Sequence, residues 1–158
     1  MYNIDDICDY IIFKTKIDED LPLNHLKLQK ILYYVQSWHL AFYDNTLFDG
    51  KFEAWVHGPV NRAIYNRFKV NKSLYSEITQ EDILNKDIIS IISEDTQIHI
   101  DSVLETYMPY SGAQLELMSH KETPWLHARK GFSNFQYCDV ELDEDLIKSF
   151  FKKKLNAK

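Results

Sequence analysis

The sequence predicts a mainly α-helical protein: a compact single-domain bundle around a long central helix, with a short β-strand or hairpin inserted near residues 47–57. Apolar residues recur at the helical period in several long segments, one of which is apolar over most of its surface. Four glycines and four prolines are few for 158 residues, whereas a β-sandwich needs many turns. The hydrophobic content of 45% is enough for a packed core, so we expect residues 1–158 to form one domain.

The first two helices are predicted from apolar spacing and capping residues together. Asn3 can cap a helix whose apolar side consists of Ile4, Ile7, Cys8, Ile11 and Ile12. Pro22 interrupts the pattern, and Asn24 can cap a second helix over about residues 24–43. The apolar stripe of this second helix contains Leu28, Leu32, Val35, His39 and Phe42. We expect it at the centre of the bundle, with His39 as a hydrogen-bonded core histidine.

The chain changes to the period of a strand after the second helix. Turn signals at Asp44–Asn45 and Asp49–Gly50 precede residues 52–57, in which alternate side chains are apolar. This pattern predicts a short strand or hairpin that ends at a Gly58–Pro59 turn. Residues 61–68 then return to helical spacing.

Residues 71–96 are the least clear part of the sequence. TQED at 79–82 has the form of a capping box, which predicts a short helix through Ile83 and Leu84. DIISIIS at 87–93 fits a helix and a strand equally well.

Capping residues predict the helices of the C-terminal half. Helical spacing resumes from Asp95 or Thr96 and stops at Pro109. Ser111 begins a capping box, SGAQ, and predicts a further helix. The last helix is expected to start near Asp143, with acids in its first turn and lysines in its last, where they complement the helix dipole.

The segment SHKETPWLHAR, which ends at Arg129, combines histidine, acid, arginine and tryptophan and predicts a corner between two helices. His120 suits the negative end of the first helix. Thr123 has the form of an N-cap and Pro124 that of the first helical residue, with Trp125 facing inward. We expect hydrogen bonds of His120 and Arg129 to hold the corner together.

Charge and composition exclude several classes of protein. The net charge of −6 argues against nucleic-acid binding, because proteins that bind nucleic acid usually present a basic surface. The N-terminus lacks the positive charge of a signal peptide, and no apolar run is long enough to span a bilayer, so we expect a cytoplasmic protein without membrane contact. Cys8 and Cys138 are the only cysteines and form no CxxC pair; Cys8 is expected to be a buried apolar side chain.

Motifs for catalysis or metal binding are weak or absent. The sequence contains no H-E-x-x-H, no G-x-S-x-G and no glycine-rich phosphate loop, so we predict no metal and no cofactor. A hydrolase that used His57, His120 and Glu122, with Arg129 beside them, would need these side chains to converge on a wet cleft. The prediction is therefore that the protein is not an enzyme.

Two long ordered motifs resemble a known family. LKLQKILYYVQSWHLAFYDNTLFDGKFEAWVHGPVNRAIY, residues 26–65, is similar to the first signature of the Panacea domain, also described as SocA-like or phage-associated GepA-type. LELMSHKETPWLHARKG, residues 115–131, resembles the second signature, L-x-x-x-x-H-x-E-x-P-W-x-x-A-R. With the helices between them the signatures cover about residues 4–151, whereas the middle, 71–96, resembles nothing specific.

The resemblance implies an antitoxin of a bacterial or prophage type II toxin–antitoxin system. Members of the family neutralise unrelated protein toxins by direct contact, and the cognate toxin is expected from the adjacent gene. An alternative is an adaptor that delivers its toxin to a cytoplasmic protease. No catalytic residues are established for the family, so the motif residues are interpreted as structural; they are Trp38, His39, Gly58, Pro59, His120, Glu122, Thr123, Pro124, Trp125 and Arg129.

Partner contacts are predicted from the aromatic content. Ten tyrosines, nine phenylalanines and three tryptophans exceed what a small core needs, and aromatic residues often anchor protein interfaces. The expected contacts with the toxin are Trp55, His57, Tyr65, Tyr75 and Tyr110.

Overall fold

The computed structural model describes residues 1–157, and helices account for most of them. The eight α-helices of this range are α1 (Ile4–Ile12), α2 (His25–Tyr43), α3 (Arg62–Phe68), α4 (Ile88–Ile91), α5 (Glu94–Tyr107), α6 (Gly112–His120), α7 (Thr123–Ala128) and α8 (Glu144–Asn156). Two strands, β1 (Glu53–Trp55) and β2 (Gly58–Val60), form an antiparallel hairpin. The predicted helical bundle with a small β insertion is therefore confirmed.

Helix α2 is the centre of the molecule, as its composition predicts. It is buried along nearly its whole length, and α8 packs most extensively along it, followed by α5 and α6. The Asn24 side chain accepts the Lys27 N–H at 2.8 Å, which confirms the predicted N-cap. Phe42, however, is exposed, because the apolar stripe runs beyond the helices that cover α2.

The hairpin turns at a different place from the predicted one. The turn is at Val56–His57, and Gly58 and Pro59 belong to β2, with Trp55 opposite Gly58 in the register. The prediction of a Gly58–Pro59 turn was therefore wrong. Gly58 does have φ +89°, but it uses this conformation at the start of a strand that is buried at all three positions.

The end of α1 and the following segment contain structure that the sequence pattern did not indicate. The helix continues as a π-helical segment, Phe13–Asp18. Within it the Thr15 hydroxyl donates to the Ile11 carbonyl at 2.8 Å, and Thr15 itself is buried. Cys8 in α1 forms no disulfide with Cys138. Its side chain is buried among apolar residues, as expected.

Residues 71–96 form loops and short helices that lie against α1. The capping box at Thr79 and Asp82 is present, but its 3₁₀-helix ends at Asp82, so the predicted continuation through Ile83 and Leu84 was wrong. DIISIIS contains α4, which decides in favour of a helix. The buried Asp9 carboxylate accepts the N–H groups of Leu84 and Asn85, and these bonds hold the loop on α1.

Helix starts in the C-terminal half lie within two residues of their predicted positions. Ser93 caps α5, which therefore begins one or two residues before the predicted start at Asp95 or Thr96. Ser111 and Asp143 cap α6 and α8 as predicted. In the corner, Glu122 is the N-cap of α7, so that Thr123 and Pro124 are its first and second residues. The predicted N-cap at Thr123 was therefore wrong by one position. Proline is tolerated at both positions, since the first N–H groups of a helix lack partners within it.

None of the helices in residues 1–157 combines the length and the apolarity that a bilayer crossing requires.

Candidate functional site

The two signature segments meet at one buried contact, between α7 and the hairpin. Trp125 Nε1 donates to the Trp55 carbonyl at 2.8 Å, and Arg129 donates to the Ala54 carbonyl at 2.7 Å. Trp125 is almost completely buried. The second signature therefore fixes the backbone of β1, which belongs to the first.

Glu122 makes a second contact between the signatures, inside the bundle. Its buried carboxylate accepts hydrogen bonds from the hydroxyls of Tyr33 at 3.1 Å and Tyr34 at 3.0 Å, and Lys154 Nζ lies 3.7 Å away. Burial raises the pKa of Glu122, while Lys154 and the two tyrosines act in the opposite direction. Burial and the neighbouring carboxylate also raise the pKa of both tyrosines, which remain hydrogen-bond donors. This acid is part of the packing of α2 against α7 and α8.

Arg129 connects the corner to the segment that follows it. Its buried guanidinium donates to the carbonyls of Ala54, Ser133 and Gln136, and it lies 5.0 Å over the Trp125 ring. The expectation that Arg129 makes structural hydrogen bonds is confirmed, although its partners lie on β1 and on the following loop. The two terminal nitrogens of the guanidinium thus donate to backbone carbonyls, whereas the buried Nε has no hydrogen-bond partner within residues 1–157.

His120 contributes to the corner mainly by stacking. Its ring lies parallel to Trp125, with centroids 4.2 Å apart and an interplanar angle of 22°. Nε2 is buried without a hydrogen-bond partner in the described chain. Burial lowers the pKa of His120, opposed by Glu116 and the Val56 carbonyl.

The residues of the alternative hydrolase site have separate partners. His57, in the hairpin turn, pairs with Glu116 at 3.1 Å, while Glu122 binds two tyrosines and Arg129 binds backbone. Within residues 1–157, no three histidine, cysteine, aspartate or glutamate side chains are arranged to hold a metal ion.

A buried lysine was missed by the sequence analysis. Lys30, on α2, is fully buried, and its Nζ donates to the Pro59 carbonyl at 2.9 Å. Burial lowers its pKa to about 7, which Glu116 partly opposes. A Cβ on Gly58 would lie 2.7 Å from both Lys30 Cε and Ser119 Oγ, so glycine is required here by close approach as well as by φ. No local signal marks this lysine, because helical lysines are ordinarily exposed.

Four of the five predicted contact residues form two pairs beside the hairpin. The rings of Trp55 and Tyr65 meet edge to face with their centroids 4.8 Å apart, and those of His57 and Tyr75 do so with centroids 6.3 Å apart. Tyr75 is well exposed, as is Tyr110 in the connection between α5 and α6. Their role in binding stays a prediction.

Trp38 and His39 lie at the other end of α2. Trp38 Nε1 donates to the Tyr107 hydroxyl at 2.8 Å, which ties α2 to α5. His39 is hydrogen-bonded to the Asn45 carbonyl at 2.8 Å but is only half-buried, so the prediction of a core histidine was wrong.

The sequence analysis also missed an exposed aromatic segment. Residues 132–140, FSNFQYCDV, follow the corner and are called the aromatic loop below. Four of its large apolar side chains are exposed, namely Phe132, Phe135, Tyr137 and Val140. The signal was present, since three aromatic residues occur within six positions outside any helical period.

Comparison with known proteins identifies the family. The family model described as "Antitoxin SocA-like, Panacea domain" matches residues 28–126. A curated relative, Antitoxin SocA of Caulobacter vibrioides (strain NA1000 / CB15N), is 37% identical over 139 residues, which cover 84% of this chain and 74% of that protein. No solved structure gives a significant match. The chain therefore belongs to the SocA-like, Panacea-domain family of antitoxins.

Proposed function

We propose that this protein is a cytoplasmic antitoxin that neutralises one cognate protein toxin by binding it directly. The observation that carries the proposal is a division between side chains used in internal contacts and aromatic side chains left exposed. The signature residues are used in internal contacts, such as Trp125 with Trp55 and Glu122 with two tyrosines. Large aromatic side chains are meanwhile left exposed on the surface, which is typical of a protein that binds another protein.

The same division supports a non-enzymatic role. General acid–base catalysis needs groups within hydrogen-bond reach of a substrate in a cleft. Glu122 and Arg129 are instead buried and engaged with tyrosines and with backbone. We propose that inhibition follows from occupation of the toxin surface.

The contact residues are proposed to include the two pairs beside the hairpin. Trp55 is covered on one side by Arg62, whose guanidinium lies 5.2 Å over the indole, and Tyr65 contacts its edge. Aromatic and arginine side chains together are the usual anchors of protein interfaces. His57 and Tyr75 extend this surface around the hairpin turn.

Co-expression with the product of the adjacent gene tests the proposal. We expect the antitoxin to restore growth, to co-purify with the toxin and to leave the toxin's half-life unchanged. Restored growth accompanied by a shortened toxin half-life would instead assign the role of an adaptor for a protease. Absence of both a complex and growth rescue would refute the proposal.

A further inference from the structure

The aromatic loop exposes two large aromatic side chains. Phe135 is 90% exposed and Tyr137 is 68% exposed. Neither side chain contributes to the core, and large exposed aromatic groups are a liability unless a partner covers them. Two such side chains two residues apart indicate a surface selected for contact.

The backbone of the loop is firmly attached to the body of the protein. Arg129 donates to the carbonyls of Ser133 and Gln136, and the side chain of the loop residue Cys138 is buried. At its end the Ala54 N–H donates to the Val140 carbonyl at 2.8 Å, which adds this segment to the free edge of β1. The aromatic side chains are therefore presented from a preorganised backbone, which lowers the entropic cost of binding.

The loop lies outside the part of the chain that the family model matches, which ends at residue 126. It is nevertheless continuous with the surface proposed above, because the Val140 carbonyl at its end accepts the N–H of Ala54, which precedes Trp55 in β1. A surface that must suit one particular toxin is expected beyond the shared part of the domain, since specificity requires contacts that differ from relative to relative.

The charge around the loop favours a basic partner. Residues 132–145 contain five acidic residues and no lysine or arginine. Glu144 pairs with Lys51 at 2.8 Å and Asp143 caps α8, but Asp139 and Glu141 have no ion pair within residues 1–157. A second copy of this chain would bring acids against acids, which opposes self-association through this surface.

We propose that the aromatic loop is the surface that binds the toxin, and that its occupant is a basic face of that toxin with an apolar pocket for Phe135 and Tyr137. The inference rests on the proposed antitoxin function and adds to it the place and the chemistry of the contact. The aromatic side chains supply the buried anchors, and Asp139 and Glu141 steer the basic partner into place.

The test measures binding of the purified adjacent-gene product to the full-length antitoxin by calorimetry. A variant carrying both Phe135→Ser and Tyr137→Ser should bind roughly 100-fold more weakly, with an unchanged melting temperature. The matched control is Leu84→Ser, which also removes an exposed apolar side chain, 70% exposed, but from the loop on the α1 side. This control should bind like the wild type.

A second measurement examines the chemistry of the partner. Asp139→Asn together with Glu141→Gln should slow association about tenfold at low salt and flatten its dependence on ionic strength. An unchanged association rate would overturn the assignment of a basic partner face.

The outcomes separate this inference from the proposed function. If the wild type forms no complex, both fail. If the wild type binds and the double serine variant binds equally well, only the assignment of the aromatic loop is overturned. The same follows if Leu84→Ser weakens binding to the same extent, or if the serine variant alters self-association while toxin binding persists.

Discussion

The corner at α7 and the aromatic loop are adjacent in the chain and both contain aromatic side chains, yet they use these side chains in opposite ways. In the corner, Trp125 and Arg129 are buried and hydrogen-bonded to the hairpin. In the loop, Phe135 and Tyr137 are exposed and contribute no core contact. Aromatic residues beside charged ones do not by themselves indicate a site; what matters is whether backbone partners within the same fold already satisfy them.

Arg129 joins the two regions, and its removal should be among the most destabilising changes in either of them. Arg129→Ala would leave the carbonyls of Ala54, Ser133 and Gln136 without their donor and would remove the group stacked on Trp125. We expect a loss of about 3–4 kcal/mol in the free energy of unfolding. Urea denaturation measures this loss directly.

Arg129→Lys is the informative control for this variant. Lysine keeps the charge but cannot present a planar fork to carbonyls in three directions, so we expect it to recover less than half of the loss. Full recovery by lysine would mean that charge, and not the geometry of the guanidinium, holds the loop to the corner.

The helices were predictable because their signals are local. Asn3, Asn24, Asn61, Ser111 and Asp143 are N-caps whose side chains accept backbone N–H groups close in sequence, and α2 is apolar around most of its circumference. The family signatures, likewise, are continuous stretches of sequence.

The parts that were missed depend on contacts between distant segments. Lys30 is buried and bonded to Pro59 in β2, and Glu122 occupies the N-cap position of α7 in place of Thr123 while two tyrosines on α2 hold its side chain. The hairpin turn lies at Val56–His57, and Gly58, which follows it in β2, passes close to Lys30. Periodicity and capping rules contain no information about such contacts.

Two glycines with the same φ allow a crowded part of the molecule to be compared with an open one. Gly58 and Gly131 both have φ +89°, but a Cβ at Gly58 would meet two side-chain atoms at 2.7 Å, whereas one at Gly131 would meet nothing within 4 Å. We expect Gly58→Ala to cost about 3 kcal/mol and Gly131→Ala about 1 kcal/mol. Equal losses in thermal or urea unfolding would show that conformation alone accounts for both glycines.

The buried Lys30 predicts how stability changes with pH. Its pKa is about 7 in the folded protein and is lowered by burial, whereas the unfolded chain keeps the ordinary value of a lysine. Below pH 7 folding must bury a charged ammonium or release its proton, and this cost falls as the pH rises from 7 toward 10. We expect the free energy of unfolding to increase by about 1–2 kcal/mol between pH 7 and 8.5.

Lys30→Met isolates this effect. The change in the free energy of unfolding with pH is measured separately in each protein, so a difference in their overall stability does not affect the result. Methionine has no titratable group, so the rise between pH 7 and 8.5 should shrink to the smaller part that comes from the histidines whose pKa burial lowers, namely His25, His39, His99 and His120. A slope as steep as that of the wild type would assign the whole rise to groups other than Lys30. The range stops at pH 8.5 because of Cys8, whose pKa burial raises to about 12 in the folded protein. Above this pH the Cys8 thiol ionises in the unfolded chain but not in the folded one, which lowers the free energy of unfolding.

The smallest expected effect on stability belongs to the loop, and it tests the comparison most directly. Phe135→Ser should change the free energy of unfolding by less than about 0.5 kcal/mol, because a side chain that is 90% exposed loses almost no buried contact. Trp125→Ala, in the corner, removes a side chain that is 2% exposed and should cost about 3–5 kcal/mol. A large loss in Phe135→Ser would mean that the phenyl ring packs against the body of the protein in solution. The loop would then stabilise the fold as the corner does, and its exposed aromatic residues would no longer need a partner to explain them.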